Sequence, residues 1–209
     1  MPRGAGTIAE MVAKDTTVAL YLAREEKADA LLAANPFALA VGMILDQQVP
    51  MERAFAAPLE LQQRLGKKLT AKTLASVDPA VLDELFTRTH ALHRFPSAMA
   101  ARVHQFATIV TTDWKGDASA IWSTAATGQE LVKRLKALPG FGESKAKIFT
   151  ALLGKQLGCT PKGWREACSP YGDAKTLYSI ADIKDAGTYT KVREHKRAMK
   201  AAAKAAAAE

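Results

Sequence analysis

The sequence predicts an all-α fold, and three observations carry that prediction. Apolar residues recur at helical spacing along most of the 209 residues. Residues that cap or open helices stand in front of those runs. Strand-like sequence is confined to one short stretch, Thr16–Tyr21, where Thr17-Val18-Ala19-Leu20-Tyr21 reads equally as a strand and as a helix start.

The helices follow in order. Asn35-Pro36 is a cap followed by proline at the first helical position, and Phe37, Val41, Ile44 and Leu45 share one face of the helix it opens. Asp78-Pro79 repeats this signal before Val81, Leu82, Leu85 and Phe86. Pro96 opens another helix, with Met99, Val103, Phe106 and Val110 as its buried stripe and Arg102 and Gln105 facing out. Thr127-Gly128-Gln129-Glu130 has the form of a capping box ahead of Leu131, Leu135 and Leu138, and Ala146, Phe149, Leu152 and Leu153 carry the pattern into the next helix. With Gly66, Gly116 and Gly128 as punctuation, about six helices fit between Asn35 and Leu157. Lys191 to Arg197 and the alanine-rich sequence after it read as a solvated helix that frays at its end, and the segment from Lys200 is of low complexity.

Leu138-Pro139-Gly140-Phe141-Gly142-Glu143-Ser144-Lys145-Ala146 is the stretch with chemical content. Pro139 stops one helix, and Gly140 and Gly142 can take positive φ and admit a ligand close to the backbone. The following helix begins with free N–H groups, the positive end of its dipole and Lys145, which together make a site for a nucleic-acid phosphate that reads no base sequence.

These residues resemble the helix-hairpin-helix motif, and the order of parts around them resembles the helix-hairpin-helix DNA glycosylase superfamily of base excision repair. The likeness is close over Leu138–Ala146 and looser back to Asn35-Pro36-Phe37, where Ile44-Leu45-Asp46-Gln47-Gln48-Val49 is similar to the family's aliphatic–Gln–Gln segment facing the opened duplex. The resemblance implies a bilobal all-α protein with a DNA cleft between its lobes. Residues 35–158 would form a central six-helix domain with the hairpin at about 129–157, and residues 1–34 and 159–209 the second, discontinuous lobe. Helix-hairpin-helix pairs also serve polymerases, ligases and nucleases, so the motif points to DNA more firmly than to any one reaction.

Composition agrees with a DNA partner. A net charge of +8 favours an acidic ligand, and half of it lies from Lys184 onward, where seven Lys or Arg face three acids. Two cysteines, Cys159 and Cys168, are too few for a four-thiolate iron–sulfur cluster, and the four histidines are scattered, so no metal and no cofactor are expected. The absence of an apolar signal core or a membrane-length run leads to the expectation of a reduced, cytoplasmic monomer, associated with the nucleoid if bacterial.

The resemblance also says what chemistry to look for. Glycosylases of the superfamily generally carry an Asp in the loop after the second hairpin helix, to stabilise the cationic sugar or steer a water toward C1′. Here that loop, from Gly158 to Gly172, has no aspartate. The candidates to replace it are Asp46, then Asp173, then Glu166. Strand-cleaving members carry a lysine two residues after the second hairpin glycine. That position is Ser144, and Lys145, about 100° further round the helix, is assigned to phosphate neutralisation rather than to lyase chemistry. By the same likeness Leu138, Gly140, Gly142, Ser144 and Lys145 bind DNA, and Gln47 and Gln48 fill the gap left by a flipped base. Trp164 and Tyr171 are candidates to stack on that base, although a Trp in this setting also serves as a plug between packed elements. His90 and His93 read as surface or packing residues, with a phosphate contact from His93 and Arg94 as the lesser alternative. The expected function is excision of a damaged base from duplex DNA without strand cleavage, the alternative a non-catalytic protein that binds damaged DNA on the same fold. Alkylated purines, which leave easily because the attached base is already cationic and departs neutral, are the first-choice lesion and deaminated bases the second.

Overall fold

In the computed structural model, which describes residues 19–206, eleven α-helices and one 3-10 turn account for the regular structure of the described residues. Among them there is no strand, only an isolated bridge between Thr127 and Lys162. The Thr16–Tyr21 stretch lies partly outside the described residues, and Ala19 to Tyr21 belong to no strand.

Helix α1 (Glu26–Ala34) is anchored by Asp29, whose buried carboxylate accepts the amides of Leu22 and Ala23 at 2.8 Å each and draws the preceding segment onto the helix. Asn35 turns the chain by 117° into α2 (Pro36–Leu45). Its Oδ1 accepts from the amides of Phe37 and Ala38, and its Nδ2 donates to the Leu69 carbonyl at 2.7 Å. Where an amphipathic face was expected on α2, every residue from Phe37 to Leu45 is buried. Neighbours on several sides explain this: α1, α3 (Met51–Leu65) and α6 (Pro96–Asp113) all pack against it. Phe37 stacks on Phe106 of α6 at 5.3 Å, and burying each such ring contributes roughly 2 kcal/mol. Between them come α4 (Ala71–Ala75), capped by Thr70, and α5 (Pro79–Thr87), capped by Asp78. Leu82, Leu85 and Phe86 of α5 are buried as expected, but Val81 faces solvent because the helix turns only one side to α6.

The second half contains α7 (Ala120–Ser123), α8 (Gly128–Lys136), α9 (Glu143–Gln156), α10 (Trp164–Ala167), a 3-10 turn at Ile180–Asp182 and α11 (Ala186–Ala206). The short helices α4 and α7 raise the number between Asn35 and Leu157 above the six expected. Thr127 caps α8 through the Glu130 amide, while Glu130 reaches back one residue further than a capping box requires, to the Ala126 amide. Helix α9 is the hub here: α8, α10 and the 3-10 turn pack on it, and Lys155 pairs with the buried Asp182 at 2.5 Å. No single described helix is long and apolar enough to cross a membrane; α1 and α2 satisfy the length and composition only together, and α2 is core.

Candidate nucleic-acid interface

The hairpin joins α8 to α9 as the sequence predicts, but its residues divide differently. Leu138 and Phe141 are buried, and the Phe141 amide closes the turn on the Leu138 carbonyl at 3.2 Å. Phe141 leans on Phe149 of α9 at 5.8 Å. Leu138 is therefore a core residue of the hairpin and not a surface for DNA. Of the two glycines, Gly140 alone has positive φ, at 78°, and it lies against α2 and α6: a Cβ on it would stand 3.4 Å from Ile44 Cγ2 and 3.6 Å from Arg102 Cδ. Gly142 is extended (φ −91°, ψ 178°), and a Cβ there would meet nothing within 4 Å. It is exposed beside the first turn of α9, whose first internal bond runs from the Ala146 amide to the Gly142 carbonyl, so the amides ahead of Ala146 lie before the ladder. A negative charge stands at this same helix start. Glu143 pairs with Lys147 at 3.1 Å and Lys136 at 3.4 Å, and their hydrogen bonds lower its pKa.

Opposite the hairpin, α2 ends at Leu45, earlier than expected, and Asp46 to Pro50 form an irregular turn into α3. This turn separates the two glutamines. Gln47 is tied down at every polar atom of its side chain: Nε2 donates to the Ile44 carbonyl at 2.8 Å and Oε1 accepts from Arg102 at 3.1 Å. Arg102, expected to face solvent, is thereby turned inward. The Gln47 carbonyl in turn accepts from His93 Nε2 at 2.9 Å, while His93 Nδ1 accepts the Phe95 amide at 3.0 Å. That amide fixes the tautomer, with the proton on Nε2. The ring is buried, which lowers its pKa and leaves no path to a phosphate. Gln48, by contrast, is exposed and held at φ 56°.

Asp46 and Lys145 lie on the two sides of the place where this turn faces α9, without forming an ion pair. The Lys145 ammonium donates to the Ile44 carbonyl at 3.1 Å, so it points back at the end of α2 and not outward as a phosphate contact. The negative end of the α2 dipole and the Asp46 carboxylate explain that direction. Burial lowers the Lys145 pKa to about 8, against the raising effect of Asp46. Burial also raises the Asp46 pKa, and Lys196 and Lys145 are the charges that oppose the rise.

The other two acids face solvent. Asp173 is exposed and accepts the Lys175 amide within its own turn, and Glu166 is exposed on α10. Trp164 is a plug rather than a base platform. It is buried, and a Cβ on Gly154 of α9 would run into its ring, while the Arg165 guanidinium covers it at 4.3 Å. Tyr171 is half-buried, with its hydroxyl 3.3 Å from Ser144 Oγ on α9. Next to it Tyr178 stacks on His195 of α11 at 4.5 Å. These rings border a cavity of about 460 Å³ that Ile148, Lys196 and Met199 complete. Neither Tyr178 nor His195 carries a signal in the sequence, because each gains its meaning only when α11 folds back over α9.

Helix α11 is fixed by a cluster around Tyr189. The Tyr189 hydroxyl donates to Glu52 and accepts from Arg193 at 2.6 Å, and the Arg24 guanidinium lies 4.5 Å from its ring centroid. Glu52 belongs to the first turn of α3, just after the Gln47–Gln48 turn. The helix is therefore tied to the core through Tyr189 and Val192, both buried, although its outer face is solvated as expected.

Comparison with known families agrees with this arrangement of hairpin and turn. A model of the HhH-GPD superfamily base excision DNA repair proteins matches residues 41–207, which takes in the Gln–Gln turn, the hairpin and α11. No curated protein matches the chain. With the hairpin, the turn facing it and the family match extending over most of its length, the chain belongs to the HhH-GPD superfamily of base excision DNA repair proteins, a family that acts on DNA and includes DNA glycosylases.

Proposed function

We propose that this protein is a monofunctional DNA glycosylase that excises a damaged base from duplex DNA, with Asp46 as the acid that serves the reaction. The observation that carries the reading is the place of Asp46, at the end of α2 beside the start of α9, with Lys145 and Lys196 supplying positive charge toward it. The backbone at Gly142 and the first amides of α9 hold a phosphate, and Gln48 enters the stack where the target base has left it. As the C1′–N bond breaks, its electron pair leaves with the base and positive charge grows on the sugar. The Asp46 carboxylate stabilises that charge. A water then forms the C1′–O bond and gives its proton to Asp46. Lys196 and Lys145, the latter held on the Ile44 carbonyl, act against the burial that raises the Asp46 pKa and so favour its charged form.

Duplexes bearing single lesions, followed by cleavage at the resulting abasic sites, identify the substrate. In the single-turnover assay Asp46→Asn should lower base release about 100-fold while leaving DNA affinity intact, because the amide keeps the shape and removes the charge. Borohydride should trap no protein on an abasic duplex; an adduct lost in Lys145→Ala would replace hydrolysis by lyase chemistry. The aspartate-free loop from Gly158 to Gly172 favours a second reading, a protein that binds damaged duplex without catalysis. Tight binding of damaged DNA with no base released from any lesion would establish it.

A further inference from the structure

The cavity between α9 and α11 has a definable occupant. It is about 460 Å³, in the size range of small-molecule sites, and its lining is mostly apolar or aromatic. It adjoins the proposed reaction centre at two points: Tyr171 reaches Ser144 at the start of α9, and Lys196 both lines the cavity and acts electrostatically on Asp46. Ile148 stands one turn beyond Ser144 on the same side of α9.

We propose that this cavity receives the extruded base, and that its lining selects a neutral base rich in carbonyl oxygens, such as a deaminated or oxidised base, over a cationic alkylated purine. The proposal rests on the glycosylase reading of the same site and narrows it to a substrate class. Flat apolar walls from Ile148 and Met199 and the rings of Tyr171 and Tyr178 suit any base by stacking. The polar groups are what discriminate. Lys196 can only donate, the two tyrosine hydroxyls and the His195 ring can donate or accept, and no carboxylate lines the cavity. A carbonyl oxygen satisfies those donors, whereas a base with a formal positive charge meets the Lys196 ammonium with no anion in the lining to offset it. This reverses the order of lesions that leaving-group chemistry alone suggests. An easily expelled base gains nothing if its charge keeps it out of the cavity.

The test compares duplexes carrying one uracil, one hypoxanthine or one 7-methylguanine, in single-turnover release and in equilibrium titration against undamaged duplex. The neutral lesions should be released and bound at least 10-fold better than 7-methylguanine. Lys196→Gln should lower that ratio and Lys196→Glu should invert it. The ratio is the readout because the effect of Lys196 on Asp46 is common to all lesions. Tyr178→Leu should weaken binding of every lesion by about 10-fold without changing affinity for undamaged duplex, and Tyr178→Phe guards against a folding defect. Preference for 7-methylguanine, or a ratio indifferent to Lys196, overturns the proposal. Release of no base, together with tighter binding of uracil duplex that depends on Lys196 and Tyr178, keeps the pocket and removes the catalytic reading.

Discussion

Gln47 and Gln48 are adjacent and chemically identical, yet the fold gives them opposite duties. Gln47 has its amide bound on both sides and its carbonyl held by His93, whereas Gln48 is free and exposed. Gln47→Ala should destabilise the protein by about 1–3 kcal/mol in denaturant titrations, since it takes the acceptor from Arg102 and leaves the Ile44 carbonyl with Lys145 as its remaining side-chain donor. Gln48→Gly, which suits a φ of 56°, should leave stability unchanged and lower base release. The opposite pattern would exchange the two roles. Lys145 offers a second measurement. Its pKa is near 8 in the folded protein, below the ordinary lysine value of 10.5. Between these values the unfolded chain binds the extra proton, so folding stability should rise as pH rises from about 8 to 10. Lys145→Met should flatten that rise in a series of melts, and an unaltered slope would mean that the ammonium is not buried. The inward turn of Lys145 was hidden from the sequence, because its partners at Ile44 and Asp46 are a hundred residues away.

At the scale of the element, the hairpin's two glycines answer to different constraints. Gly140→Ala introduces strain at φ 78° in a turn packed against Ile44, so it should weaken both folding and duplex binding. Gly142→Ala meets open space with an ordinary φ and should be tolerated in stability, leaving only its effect on a close phosphate. Equal effects in melting and in DNA titration would contradict this division. Glu143→Gln removes the anion from the start of α9 and should tighten duplex binding severalfold at low salt, with the gain fading as salt rises. The hairpin was legible because its signals are local: a proline, a glycine and a cap within a few residues. The unequal roles of the glycines were not, since only the approach of α2 and α6 distinguishes them. The buried stripe of α6 follows from helical spacing alone, whereas the inward turn of Arg102 depends on its contact with the Gln47 turn.

For the whole molecule, the question is what holds α11 in position to form one wall of the cavity. Tyr189 is the bolt, joining α11 to Glu52 of α3 and lying under Arg24. Tyr189→Phe should lower stability by about 1 kcal/mol and reduce discrimination between lesions, while the hairpin's affinity for undamaged duplex stays as it was. Loss of both affinities together would show that α11 also supports the hairpin. The sequence indicated an all-helical DNA-binding protein and its family because helical periodicity and the hairpin are repeated or local signals. It could not indicate a pocket assembled from residues 148 to 199, although the plug reading of Trp164 agrees with its packing between α8 and α9. The close approach of Gly140 to Ile44 has a mechanical meaning at this scale. If the hairpin holds a phosphate and Gln48 displaces the base, as proposed, the glycine backbone resting on the Ile44 methyl makes them behave as the two jaws of a fixed calliper. Such a tool does not reshape itself around each duplex; the duplex must bend to its gauge, and DNA already weakened at one step yields most easily.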